Sequence, residues 1–528
     1  MRRKLVQIFC VCLLLMAGCT SSTDTSSILV TLAVDGQERS YPLPIAITVG
    51  EFLRQANVEL GSLDEVTPPL FSQVSDGLRV TVTRVEETQE CENQDLPFAE
   101  IRRPYEGLQP GEERVTQAGQ SGVEEICYRV TIRDGKRAER VPIRTTIITA
   151  AQDAIIYFGP SGQLDPVPIE GTLAYISNGN VWVMRGNSTN KRLLTTSGDL
   201  DNRVFSLTAD GRQLLFSRKS TDPTTYFNQL WMVGDTTNVN AQPVALRPQN
   251  VLYADWVPNQ ADTISYSSGE ITDNSPGWQA YNDLWLMRID PNSGDSLNAR
   301  QLVDRSSGWL YSWWGTGFQW SPNGQQLAWV RADSMGLVNT DTGEFQTLLT
   351  YPVFSTRQPW SWRATVSWSP DSSLLLTTVH GLPIGSEPAE TSPAFHDAIT
   401  NASGSFTANV VENAGIWSKP KYSPISGDAS APRGYIAYLR ARDLANSISE
   451  SAEYDLVVAD RDGSNARVVY PAQGQPGLTA AAPFFTWNPS GTEIAFIYGG
   501  NLWVVDVESA VAHQLTLDRG ASIPIWTR

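Results

Sequence analysis

Apolar and polar positions change rhythm several times along the 528 residues. In ILVTLAVDGQERSYPLP (28–44) they alternate on either side of Asp35-Gly36, the pattern of a β-hairpin closed by a tight turn. In TVGEFLRQANVEL (48–60) the rhythm becomes helical. Val49, Phe52, Leu53, Ala56 and Leu60 fall on one face, Thr48 stands as N-cap, and Glu51 follows where a capping box needs it. Alternation returns in DEVTPPLFSQVSDGLRVTVTRV (64–85), so hairpin, helix and returning strand predict a small α+β unit over 28–86. Over 95–160 short alternating runs are broken by Gly107, Gly111, Gly119, Gly122, Gly135 and Gly159. Few apolar residues lie between them, which predicts an extended sheet with a thin core.

Beyond Gly171 the pattern repeats. WSPNG (320–324), WSPDS (368–372) and WNPSG (487–491) have looser copies in LTADG (207–211), WVPNQ (256–260) and YSPIS (422–426). Each full copy precedes a short apolar strand such as LAWV (327–330) or IAFI (494–497). A second element follows, as in NVWVM (180–184), QLWMV (229–233), DLWLM (283–287) and NLWVV (501–505), with YDLVVAD (454–460) a degenerate copy. All 17 tryptophans lie in this region. Four-stranded units that cannot bury both faces alone must pack around an axis, which predicts a β-propeller over 171–528. The solitary IPIWT (523–527) supplies the inner strand for the first unit and closes the ring. The count gives seven blades.

Three resemblances carry further expectations. VDG (34–36), TVGEFL (48–53) and DGLRVTVTR (76–84) make the first segment resemble the ubiquitin-like DUF348-type module that precedes G5 domains in cell-wall proteins such as the resuscitation-promoting factors. The segment from DLPFAEIRRPYEG (95–107) to IIYFG (155–159) resembles a G5 domain. That family is associated with bacterial surfaces and with binding of N-acetylglucosamine polymers. Assembly through zinc, seen in some members, is not expected where the module has no histidine. The repeats resemble the TolB-type, WD40-like (PD40) propellers, whose six blades are the alternative to seven. The expected fold class is therefore mainly β: a propeller preceded by a ubiquitin-like α+β module and an extended G5 sheet.

The first 27 residues bear on location. Arg2, Arg3 and Lys4 precede an apolar run from Leu5 to Met16, too short for a comfortable permanent span. LLLMAGC (13–19) resembles a bacterial lipobox, which implies a signal peptide over 1–18, lipidation of Cys19 and a tether over 19–27; an ordinary signal cut nearby is the alternative. The formal charge of −17 becomes more negative once that leader is removed. This argues against nucleic acid and against anionic head groups as partners. Cys91 and Cys127 remain, and in an oxidising compartment a disulfide is expected, with two separate thiols the alternative.

The search for chemistry finds no catalytic set, metal centre or cofactor site. His380, His396 and His513 show no zinc spacing and read as surface or packing residues. Asp199 and Asp201 in SGDLDNR (197–203) lack the further ligands of a calcium loop. GWLYSWWGTGFQW (308–320) and QPWSWRATVSW (358–368) are the unusual stretches. Trp309, Tyr311, Trp313, Trp314, Trp360 and Trp362 exceed what the repeat needs, and Arg363 adds a polar group. On one face of adjacent blades they would form a rim for a sugar or a protein, or else pack beneath long loops. The expectation is a non-enzymatic, extracytoplasmic lipoprotein tethered to a membrane. Its small modules contact cell-wall glycan and its propeller recognises an envelope protein or carbohydrate. A solute-binding lipoprotein feeding a transporter and a polysaccharide-acting enzyme are the alternatives.

Overall fold

The computed structural model describes residues 27–105, 108–160, 162, 164–306, 309, 311–358, 360–427 and 433–528. Cys19, the signal segment and most of the tether lie outside them. No helix among the described residues is long and apolar enough to cross a membrane. The chain divides into two compact units, residues 1–101 with 115–155, and residues 102–114 with 156–528.

In the first unit, strand Ile28–Val34 pairs antiparallel with Gln37–Leu43 and parallel with Arg79–Thr83. Strand Glu65–Thr67 completes that four-stranded sheet. The helix over it is shorter than its apolar rhythm predicts, running Val49–Gln55. Thr48 and Glu51 form the capping box as expected. The helix stops because Asn57 turns left-handed at φ 54°, with Asn57 N–H donating to Arg54 O and Val58 N–H to Leu53 O. This Schellman closure ends the helix while Leu60 still packs on the core of Val30, Leu32, Phe52, Leu53 and Val80.

Three long strands follow, Val85–Leu96, Gly122–Arg133 and Lys136–Thr149, in the order in which they occur. Cys91 faces Cys127 across the first pair, and the two are joined as a disulfide. The third strand is exposed along nearly its whole length. Arginines cross this sheet: Arg137 pairs with Glu90, and Arg140 pairs with Glu92 at 2.7 Å while covering the Tyr128 ring at 3.6 Å. A further sheet orders Glu100–Pro104, Ala154–Phe158 and Glu113–Gln117.

From Pro168 on, the described residues form seven successive antiparallel sheets, and the C-terminal strand Ala521–Thr527 pairs with Pro168–Ser177 of the first. Each junction between successive sheets has its own apolar cluster. Leu173 and Trp182 of the first sheet share one with Ile497 and Val504 of the last, so the packing closes into a ring. The chain thus forms a propeller-like, mainly β architecture. The repeat tryptophans explain why. Each ends an inner strand, and its indole N–H reaches the preceding inner strand: Trp256 to Ser206 O (3.3 Å), Trp368 to Gln319 O (3.1 Å) and Trp487 to Lys421 O (3.3 Å). Trp320 instead donates to Ser265 Oγ of the neighbouring sheet at 2.9 Å. Gly324 of WSPNG sits at φ 69°, and a β-carbon there would stand 2.2 Å from Pro258 O of the previous turn. A tight turn and a close approach both demand glycine.

Candidate functional site

The inner strands surround one axial cavity of about 540 Å³, lined by residues of all seven sheets. Its charged lining is Arg203, Asp255, Lys419 and Lys421. Arg203 belongs to inner strand Leu200–Leu207, Asp255 to Val251–Trp256 and Lys421 to Lys421–Tyr422, with Lys419 just before the last. Lys421 Nζ donates to Phe485 O at 2.7 Å. Lys419 Nζ lies 4.7 Å from the centre of the Phe484 ring and 5.9 Å from that of Trp417. Arg203 lies over Trp278 at 4.8 Å and Phe227 at 5.1 Å, with Asp201 at 3.7 Å. Each lysine keeps some accessible surface, as a side chain lining an internal cavity should.

Burial pushes both lysine ammonium groups down to about 8, and the charge of Lys421 lowers Lys419 further. Burial also lowers Arg203, with Asp201 opposing. Asp255 is pushed up by burial, against the hydrogen bonds it accepts from Ser206 Oγ and Trp256 N–H. A larger cavity, about 970 Å³, opens among the turns of three sheets, but its acids are engaged in local bonds. Asp210 accepts from Thr208, Asp235 from Thr237 and Asp262 from Gln213. The axial cavity, with cations held on rings, is the better candidate.

The described residues of the aromatic stretches are partly spent on contacts within the protein. Trp362 is buried at 4 % exposure, packed against Tyr351 and Phe395, and its indole donates to Ile416 O. Trp309, Tyr311, Trp313, Trp314 and Trp360 are half-buried. Trp309 lies under Arg331 at 3.6 Å, Trp314 meets Trp278 edge-on at 5.6 Å, and Trp360 stacks on Trp417 at 5.5 Å. Tyr311 precedes the short turn Ser312–Trp314, and the Trp313 indole nitrogen has no partner among the described residues. Arg363 donates to Gly315 O at 3.0 Å, tying the two stretches together. The two stretches therefore meet, with five of their six extra aromatic residues half-buried. What the sequence reading missed is what they support: Trp278, Trp417, Phe484, Arg203, Lys419 and Lys421. The signal available was KPK (419–421) opening an inner strand, where the equivalent segments GFQ (317–319), TVS (365–367) and FFT (484–486) carry no charge.

The other candidates are accounted for locally. Asp199 pairs with Arg218 at 2.8 Å, and Asp201 accepts from Asn228 at 2.6 Å and from Ser217, so neither is free for calcium. His380 is buried, its two ring nitrogens 2.9 and 3.0 Å from Pro352 O and Ser392 O. The cluster Cys91, Glu125 and Cys127 offers no thiolates, because its cysteines are bonded to each other.

Comparison with known proteins places two domains. Residues 87–161 match the G5 domain, and residues 30–70 match the G5-linked ubiquitin-like domain. The resuscitation-promoting factor Rpf2 of Corynebacterium glutamicum is 28% identical over 125 residues, 24% of this chain and 33% of that protein. RpfB of Mycolicibacterium smegmatis is 25% identical over 150 residues, 28% of this chain and 39% of that protein. The chain therefore spans little more than a third of the curated relatives it matches. Among solved structures, a TolB-type protein from Agrobacterium tumefaciens aligns with a TM-score of 0.32 at 11% identity, covering 58% of this chain and 90% of its own.

Proposed function

We propose that this chain is an extracytoplasmic, lipid-anchored binding protein of a bacterial envelope. Its modules at 28–86 and 95–160 contact cell-wall glycan, including N-acetylglucosamine polymers. Its seven-bladed propeller over 171–528 recognises a protein or carbohydrate partner. The observation that carries the reading is the pairing of a G5 domain with its linked ubiquitin-like domain, in a chain that is similar over part of its length to two resuscitation-promoting factors. Anchoring through Cys19 rests on LLLMAGC (13–19) and the polar stretch after it.

Binding rather than catalysis is favoured by the axial cavity. Among the described residues its one lining carboxylate, Asp255, is held by Ser206 and by backbone, and the remaining charges are cations on aromatic rings. Paired carboxylates of the kind that cleave glycosides are not what this lining offers. The test is sedimentation of the purified chain with insoluble wall glycan. Retention that free N-acetylglucosamine oligomers compete away is expected, and a chain that stays in the supernatant would refute the reading.

A further inference from the structure

Many cations of this protein find carboxylates: Arg218 pairs with Asp199, Arg442 with Glu453 and Asp455, and Arg84 with Asp35 and Asp64. Among the described residues, the two lysines of the axial cavity show no such pair. Lys419 sits on Phe484 and Trp417, and the neighbouring charge that acts on it is Lys421, another cation. Arg363 gives one hydrogen bond to Gly315 O, and the charge that acts on it is Arg203. Arg203 alone has an acid close by, Asp201, and that acid is also bonded to Ser217 and Asn228. Asp255, the acid that lines the cavity, is engaged by Ser206.

A ring face holds a cation in place without cancelling its charge, so these groups keep an unspent positive potential inside a chain of formal charge −17. Burying like charges together is costly unless something offsets it. The backbone adds a second cost, since Lys419 is held at φ 45°, a region that favours glycine.

We infer that the axial cavity takes the carboxylate of an acidic saccharide, with Lys419, Lys421 and Arg203 meeting the anion and Phe484 flanking the sugar ring. The volume, about 540 Å³, suits a monosaccharide or disaccharide. The side chains of an apolar ring and a cation set in one cavity are what a sugar acid presents in complement. A bare anion would use the cations alone. The inference deepens the reading of the propeller as a ligand-binding element, but it does not depend on wall binding by the N-terminal modules.

The experiment is calorimetric titration of the full chain with N-acetylmuramic acid and with N-acetylglucosamine, which carry the same ring with and without a lactyl carboxylate. Inorganic phosphate and lactate serve as anions without a ring. N-acetylmuramic acid should bind at least ten-fold more tightly than any of the other three. Lys419→Gln, which removes a buried charge from the folded protein, should weaken that binding at least ten-fold with no loss of thermal stability. As a second readout on the unaltered chain, N-acetylmuramic acid should slow acylation of Lys419 by an amine reagent, and N-acetylglucosamine should not. Equal binding of the two sugars, binding of phosphate as tight as that of the sugar acid, or acylation that the sugar acid leaves unchanged would each overturn the inference.

Discussion

The two units of this chain solve the same problem by opposite means. The propeller buries aromatic and aliphatic side chains at every junction between sheets. The long sheet of the first unit leaves the strand Lys136–Thr149 exposed and relies on a disulfide and on arginines laid across it. Where apolar side chains are scarce, covalent and ionic links stand in for a core. The comparison can be broken at specific residues. Phe496→Ala, at a fully buried position, should cost the propeller about 3–5 kcal/mol, read as loss of its cooperative thermal transition. Replacing Cys91 and Cys127 together by serine should cost the first unit about 2–4 kcal/mol. The propeller transition should stay where it is. A disulfide-free chain whose propeller melts early would mean that the two units are not held separately.

The smaller contributions sharpen the contrast. Trp368→Phe trades a buried indole for a smaller ring and removes the N–H that reaches Gln319 O, and should cost about 1–3 kcal/mol in denaturant titration. The cavity lysines give the propeller a signature in pH. Their pKa falls from 10.5 to about 8 on folding, so between those values the unfolded chain binds more protons and stability rises with pH. Below about 8 the cost of burying both charges is present in full. Replacing both lysines by glutamine should flatten the slope of stability against pH across that window. An unchanged slope would show that these groups do not titrate there. The least effect is expected from Arg137→Ala. Its exposed pair with Glu90 is worth about 0–1 kcal/mol, and less at high salt.

Legibility in the sequence follows the same division. Local rules carried the reading wherever one segment determines its own structure. Thr48 and Glu51 cap the helix, Asp35-Gly36 turns the hairpin, and the recurring Trp-Ser-Pro ends inner strands whose indoles fasten one sheet to the next. The helix end was misjudged because the apolar rhythm continues past Gln55, whereas Asn57 at positive φ stops the backbone. The site was harder. Arg203 and Lys419 are far apart in sequence and line one cavity only because a ring brings every inner strand to one axis. An excess of tryptophan is visible along the chain, but whether a ring faces solvent or a neighbour is decided in three dimensions. Trp362 against Phe395 and Trp360 against Trp417 were therefore open until the packing was known.

The division of labour proposed for the two units is tested most directly by retention of the full chain on an uncharged N-acetylglucosamine polymer. Three proteins are compared side by side: the unaltered chain, the variant with serine at Cys91 and Cys127, and the variant with glutamine at Lys419 and Lys421. Retention should be lost or sharply reduced in the cysteine variant and unchanged in the lysine variant, because the polymer has no carboxylate for the propeller to hold. Retention that survives in the cysteine variant and disappears in the lysine variant would place the glycan site in the propeller and contradict the assignment.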